Sequence, residues 1–482
     1  MSQTRTDASL AIAPALALAC VLVSLGWPLP HRDDLFWLGT AIGLETHGEL
    51  VNPYIQAYLD HFGSQHVLFY PPLFFATLAA WLHMFGVSTA SLVLFHWTVL
   101  AGAVSGLVAL LRSLGLSLPI RALAGLLLTW QGAQSLRPEP LAYALAFWGL
   151  SLWCRTRPPA VRLAGSLLWW LSLIAYPVTL ACAPLLLVLG QRDRHGAAPG
   201  FRSLILPGVL TMVPAAMAFM VLIKFRIQEF WALFSAARAL RAAQTLAAPK
   251  AFLGALTLYR EWLFTAPLFL VFLALVVTTF VRPSAFPATL RHLLAAVSVV
   301  LSLTVLMYAE RAPFGLGMVF VFAAALAAAE AKVKRIRSPT LFTLGLLWLV
   351  WAHAHPIVAL VVQRPPDPAN IASVASQLRA TAGAIYMDGA VARYVFDYRL
   401  PPGAASLFFG VAPPPGVAAL PDYPKDLSWK GPADTWAASA TTLSWIAGTP
   451  AEETATLLGW RLRSIPLRPL KLVVLASDPD RR

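Results

Sequence analysis

The sequence predicts a mostly α-helical, polytopic membrane protein with a small α/β domain at its C-terminal end, and three observations carry that expectation. Of 482 residues, 58% are hydrophobic and only 12% are charged, against about a quarter charged in a soluble globular chain. The apolar residues fall in blocks of about 15 to 22, and roughly 20 are needed to cross a hydrocarbon core as a helix. After residue 360 the long apolar blocks stop, and Pro, Gly, Ala and Asp separate short β-like runs.

In chain order the expected spans are 9–29, 89–111, 120–134, 140–154, 163–178, 179–190, 203–223, 263–281, 292–309, 314–331 and 339–359. With soft boundaries this is a bundle of about 11 to 13 transmembrane helices. Arg5 and the apolar run after it resemble a signal peptide, but the run continues past Cys20 and Leu18 is bulky where cleavage needs a small residue. Residues 9–29 are therefore expected to remain as the first span. Arg112/Arg121, Arg155/Arg157/Arg162, Arg192/Arg194/Arg202, Arg282/Arg291 and the basic cluster Lys332–Arg337 fall in every second gap. The positive-inside rule makes those gaps cytoplasmic. The N-terminus is then cytoplasmic, and 30–88, 135–139, 224–262, 310–313 and the tail face the periplasm of a bacterial inner membrane. Residues 69–86 are apolar enough to cross, yet a crossing would invert every basic gap downstream, so a surface or re-entrant helix is expected there. The chain divides into a transmembrane domain, 1–360, containing a first periplasmic loop at 30–88, and a periplasmic domain, 361–482.

In the tail, β-like runs occur at 384–387, 394–396, 407–409, 442–446 and 472–475, and helical patterns at 369–382 and 450–459. The formal charge of +14 does not point to nucleic acid, because the basic residues sit in the gaps between spans. Cys20, Cys154 and Cys182 lie in apolar blocks without a CxxC partner, which argues against a disulfide framework. His61, His66, His353 and His355 form no recognisable ligand pattern. No metal or other cofactor is indicated, although a divalent metal is compatible with the chemistry considered next.

The first loop carries the chemical signal. It opens on His31-Arg32-Asp33-Asp34, and ionisable groups at a bilayer are costly and tend to be functional. Capping of the helix expected over 34–46 accounts structurally for one carboxylate of the pair. Glu45, Glu49, Asn52-Pro53-Tyr54 and Phe69-Tyr70-Pro71-Pro72-Leu73 follow. The Asp pair after the first span, a surface helix, the G-x-x-x-N-P-Y stretch from Gly48 and the Y-P-P-L stretch from Tyr70 resemble the GT-C superfamily of membrane glycosyltransferases. The nearest likeness is to the family-39-like branch, which includes protein O-mannosyltransferases and aminoarabinose transferases. It is specific over about residues 30–100 and architectural elsewhere. The resemblance implies a GT-C-type bundle that takes a polyprenyl-phosphate sugar at the outer membrane face. It implies Asp33, or Asp34, as catalytic base, an acid after an Arg in the second external loop at Arg137-Pro138-Glu139, and substrate contacts at Asn52, Tyr54 and Tyr70. Glu139 departs from the Asp often found there.

Transfer from a lipid phosphate to a hydroxyl requires a base at the attacking oxygen and cationic donors at the departing phosphate. Arg137, Lys224, Arg260 and Arg311 lie at expected external helix ends, with Arg226 beside Lys224. Lys224 and Arg226 also fit snorkelling, and Arg311 fits a pair with Glu310. Residues 224–262 read as an amphipathic basic helix that lines a lipid approach or rests on headgroups. Trp436, Trp445 and Trp460 are available either to the tail's core or to a glycan. The expected function is inverting sugar transfer from the polyprenyl-phosphate donor to a lipid, glycan or other hydroxyl acceptor. A transporter or flippase for a lipid-linked sugar is the alternative, and a non-catalytic anchor is a third reading that leaves the Asp pair unexplained.

Overall fold

The computed structural model describes residues 2–31, 33–61, 63–133, 136–153, 158–191, 201–245, 262–307, 311–332, 338–352, 366–380, 385–406, 442–447, 456–457, 460–461 and 471–476. The protein is mostly helical with a small sheet near its C-terminal end.

The helices follow the apolar blocks. They are α1 (Ser2–Ser24), α2 (Asp34–His47), α3 (Gln56–His61), α4 (Leu73–Phe85), α5 (Thr89–Ser113), α6 (Leu118–Gly132), α7 (Glu139–Trp153), α8 (Pro159–Ala175) and α9 (Pro184–Gln191). There follow α10 (Phe201–Leu222), α11 (Ile227–Thr245), α12 (Trp262–Val281), α13 (Ala288–Met307), α14 (Arg311–Lys332), α15 (Ser338–Ala352), α16 (Pro368–Arg379) and α17 (Gly389–Tyr394). The block at 179–190 is not one helix: a 3-10 turn, Pro177–Cys182, precedes α9. Its Pro177 and Pro184 lack the N–H that a continuous α-helix would use. Among the described residues one helix, α5, is long and apolar enough to cross a membrane, and the segments Pro207–Leu222 and Ile227–Ala236 do so together across an 85° bend. The bend falls at Lys224 and Phe225, both at positive φ (50° and 58°). Large apolar side chains remain exposed along the outer helices, among them Leu10, Leu16, Leu210, Val213, Leu270, Phe280 and Leu347.

Helix α1 lies along α6, and both run the same way. Arg121 near the start of α6 feels the charges of Asp7 and Arg112, while at the other end Trp27 stacks on Trp130 at 6.3 Å. Helices α7 and α8 meet at Gly149 and Gly165. A Cβ on either would stand 2.7–2.8 Å from the other's carbonyl oxygen, so only glycine permits this approach.

The first loop folds back on α2, which forms where expected but is not a surface helix. Residues 34–41 and Gly43 are buried within the protein. Phe36 and Trp37 pack edge-on against Tyr70, with ring centroids 5.2 and 5.1 Å apart, and against Phe74 and Phe75 of α4. Helix α4 has 13 residues, or roughly 20 Å at 1.5 Å each, which is short of a roughly 30 Å core. Opposite it, Asn52 is fully buried. Its Nδ2 donates to the carbonyls of Leu35 (3.2 Å) and Phe36 (2.9 Å) and to Thr40 Oγ1 (3.0 Å), and its Oδ1 accepts from Tyr54 N–H (3.0 Å). A Cβ on Gly39 would lie 2.3 Å from Asn52 Oδ1, and one on Gly43 would lie 2.0 Å from the Val51 carbonyl oxygen. The 51–54 segment, an isolated bridge residue at Val51 followed by a 3-10 turn from Pro53, therefore rests on the bare face of α2.

The tail holds strands β1 (Ile385–Met387), β2 (Ala404–Ser406), β3 (Thr442–Ala447), β4 (Thr456–Leu457), β5 (Trp460–Arg461) and β6 (Lys471–Ala476). The main sheet has order β2-β1-β3-β6, with β1 parallel to both neighbours and β6 antiparallel to β3. Helix α16 ties to β6 through Asn370, whose side chain pairs with both the carbonyl and the N–H of Leu472. Two tail expectations fail. Residues 394–396 end α17 instead of forming a strand, because Asp388 caps the helix by accepting from Val391 N–H (2.9 Å). The helix expected at 450–459 is replaced, in its described part, by the antiparallel β4–β5 pair. The run at 407–409 and Trp436 lie outside the described residues.

A methyl group at position 43 should drive the 51–54 segment off α2. Gly43→Ala is expected to cost about 1–3 kcal/mol, read as a lowered Tm in detergent, whereas Thr46→Ala on the exposed face should change stability by less than about 0.5 kcal/mol.

Candidate functional site

The two neighbouring carboxyls at the start of α2 occupy different environments. Asp33 stands at the helix's N-cap position, but its backbone is helical (φ −85°, ψ −3°) and its side chain caps nothing. Its N–H donates to His31 Nδ1 (3.2 Å), its carboxylate lies 3.5 Å from the same nitrogen, and its side chain is 20% exposed. Asp34 is 2% exposed. Its Oδ2 accepts from His31 N–H (3.0 Å) and from Tyr398 Oη–H (2.7 Å), across 364 residues of chain. Among the described residues its Oδ1 has no hydrogen-bond partner. Burial pushes the Asp34 carboxyl up to about 7, with the neighbouring Asp33 charge adding to the rise. The Tyr398 and His31 hydrogen bonds and Arg393 pull the other way. Burial likewise raises the Tyr398 phenol well above its ordinary value, and Asp34 beside it adds to that.

The partner of Asp34 is delivered by the tail. Asp397 and Tyr398 adopt left-handed backbone (φ 51° and 61°), a conformation costly for residues with a Cβ. It turns Tyr398 inward. Around it, Arg393 donates to the carbonyls of Pro28 and Gly26, Asp397 Oδ1 accepts from Thr89 N–H (2.7 Å) at the start of α5, and Arg399 donates to the Val87 carbonyl (3.1 Å). A carboxylate at a helix N-terminus is electrostatically favoured. Gly389 comes so close that a Cβ there would lie 2.2 Å from the His31 carbonyl oxygen and 3.1 Å from Asp34 Oδ2. Asp34, Arg393, Tyr398, Thr89, Leu136 and residues 28–29 line a cavity of about 20 Å³, which is room for about one water molecule and too small for a sugar ring.

Residues 137–139 reach the same region. Arg137 Nε donates to Glu139 Oε1 at 3.0 Å, and Glu139 is almost fully buried at the start of α7. The Glu139 carboxylate holds the Arg137 guanidinium charged, above its ordinary range despite burial. Tyr176, Asp33 and Tyr70 add to that field. Asp33, Tyr70, Arg137, Glu139 and Tyr176 therefore form one polar group drawn from three separate chain segments.

Other residues of interest go elsewhere. Asn52 spends all of its polar atoms on α2 and the following turn, and Tyr54 packs over Gly39. Lys224 pairs with Glu49 at 3.0 Å and Arg226 with Glu49 at 3.4 Å, in a network that also holds His66, Ser64 and Glu229. The Lys224 and His66 hydrogen bonds hold the Glu49 carboxyl below its usual range. For Glu229 burial acts upward, and the bonds from Ser64 and His66 with the charge of Arg226 outweigh it. Lys224 thus sits in an ion pair with Glu49, with its side chain 48% exposed. Arg311 begins α14, its side chain lies outside the described residues, and Arg260 lies outside them altogether. Among the described residues no group of three or more His, Cys, Asp or Glu side chains could hold a metal. Sequence reasoning missed Tyr398, Arg393, Tyr176 and the Glu49–His66–Glu229 network. The polar run Asp397-Tyr398-Arg399 was visible, but nothing tied it to residue 34.

No family model matches the sequence, no curated protein matches it, and no solved structure matches its fold.

A carboxyl held near 7 in the native state and ionising near 3.8 once exposed stabilises the fold while protonated. Its contribution is complete below about pH 4 and is lost as pH rises to about 7, because the unfolded chain releases that proton first. The Tm of the wild type should therefore fall relative to Asp34→Asn between pH 4 and pH 7 in detergent, and the difference should level off above that window.

Proposed function

We propose that the chain is a polytopic membrane protein that transfers a sugar from a polyprenyl-phosphate donor to an acceptor hydroxyl at the outer membrane face. The membrane reading draws support from the exposed apolar side chains along α1, α10, α12 and α15, since a water-facing surface rarely carries so extensive an apolar area. Its polarity draws support from Asp7, Arg112 and Arg121 sharing one end of the bundle while Asp33 and Arg137 sit by the first and second outer loops. These are the ends that the positive-inside rule assigns.

The observation that carries the functional reading is the Arg137–Glu139 ion pair, which lies within the field of the Asp33 carboxylate from a separate chain segment. In this reading the Asp33 carboxylate accepts the proton of the attacking hydroxyl. The hydroxyl oxygen bonds to the anomeric carbon from the face opposite the phosphate, and the bond from that carbon to the phosphate oxygen breaks. The phosphate leaves with the electron pair and its charge is met by Arg137, whose planar fork suits it. Glu139 orients Arg137, and the half-buried Tyr70 borders the same group. The partly exposed Asp33 fits the base better than Asp34, which is buried.

The reading is tested with the full chain in nanodiscs, given radiolabelled polyprenyl-phosphate mannose, galactose, arabinose and hexosamine and a cell-envelope extract as acceptor source. Wild type should release polyprenyl phosphate from at least one donor, Asp33→Asn should lose about 10²-fold or more in rate, and Arg137→Ala should lose a similar factor. Failure of every donor would remove the function, and full activity in Asp33→Asn would remove its assigned base.

A further inference from the structure

The tail segment 388–399 has the features of a component of the first-loop site. Four anchors fix it there: Arg393 on the Gly26 and Pro28 carbonyls, Asp397 on Thr89, Arg399 on Val87 and Tyr398 on Asp34. Gly389 brings it to backbone distance of His31. Two consecutive left-handed residues aim Tyr398 at one oxygen of a carboxyl that is otherwise sealed from water.

We propose that Tyr398 is a positioning residue that divides the two neighbouring carboxyls into unlike partners. It seals Asp34 as the shielded one and leaves Asp33 as the more exposed one, within the field of Arg137. This deepens the sugar-transfer reading and rests on it for its purpose, though the contact itself does not depend on the reaction.

The geometry gives the physical reason. Tyr398 and the His31 N–H both occupy Oδ2, and Oδ1 is buried without a hydrogen-bond partner among the described residues. Two adjacent carboxyls resist carrying two charges, and burial of one confines the shared charge to the other. The groups facing Asp34 are His31 and Asp33 from the first loop and Arg393 and Tyr398 from the tail, with Tyr394 acting on Tyr398. Arg393 is the nearby cation, and it is held to the 26–28 carbonyls. Asp33, partly exposed beside His31, is then the carboxyl of the two that an acceptor hydroxyl can reach, within the field of Arg137.

Infrared difference titration of the full chain in nanodiscs reads this directly, following the protonated-carboxyl C=O band that Asp34→Asn removes. The wild-type band should titrate near the raised value given above. Tyr398→Phe keeps the ring and removes only the donor, so the midpoint should rise by about half to one pH unit. Gly389→Ala pushes the tail away from His31 and admits water, so the midpoint should fall toward the ordinary carboxyl range. These opposite shifts are the signature of a burying segment that also donates. An unchanged midpoint in Tyr398→Phe, a Gly389→Ala midpoint that stays or rises, or no band lost in Asp34→Asn would overturn the proposal. The titration needs no sugar donor. A chain inactive on every donor but showing both shifts would lose the transfer reading and keep the positioning role, and an active chain without them would do the reverse.

Discussion

The hydrogen bond between Tyr398 and Asp34 is the interaction on which the candidate site depends. It joins the first loop to the C-terminal tail at 2.7 Å in a place closed to water. A buried carboxyl lacking adequate partners is expensive, and the protein meets that cost with two donors on one oxygen and a proton retained near neutral pH. The energetic consequence reaches further than the pair. The tail can bury Asp34 only if Gly389 lies against His31 and if Arg393, Asp397 and Arg399 hold their backbone partners. The seat of the whole segment is therefore coupled to one side chain.

That coupling separates two residues that are chemically identical in the sequence. Asp33 and Asp34 differ by one position on a helix start, a rotation of about 100°, and this is enough to send one inward and leave the other partly open. Arg137, held by Glu139, lies within the field of Asp33 from a separate chain segment. A cation and a carboxylate held on rigid supports are suited to stabilising charge as it develops.

The supports are rigid because of close backbone approach rather than bulk. Gly39 and Gly43 let the 51–54 segment lie on α2, and Asn52 satisfies two carbonyls and a hydroxyl there. Conserving that geometry needs small residues on one face and a single amide of the right length. The loop's other side is clamped by Glu49 and His66 to the sharp bend between α10 and α11. This clamp consumes Lys224 and Arg226, which sequence reasoning had offered to a phosphate.

The sequence by itself determined the helical blocks, the ends of α5, α6 and α7 to within about two residues, the helix after the Asp pair, and the strands at 385–387, 442–447 and 471–476. These follow from local periodicity and from Pro and Gly punctuation, which act over a few residues. It also singled out Asp33, Asp34 and Arg137, because charged groups beside apolar blocks are conspicuous, while Glu139 was offered only by the family resemblance. Only the tertiary structure decided that α2 is buried, that Asn52 is a strut, that Lys224 belongs to an ion-pair network, and that Asp34 is sealed by Tyr398. Each of those outcomes depends on a partner between about a dozen and several hundred residues away. No local pattern encodes which distant side chain will fill a buried carboxyl's hydrogen-bonding capacity, since that is set by how the packed elements converge.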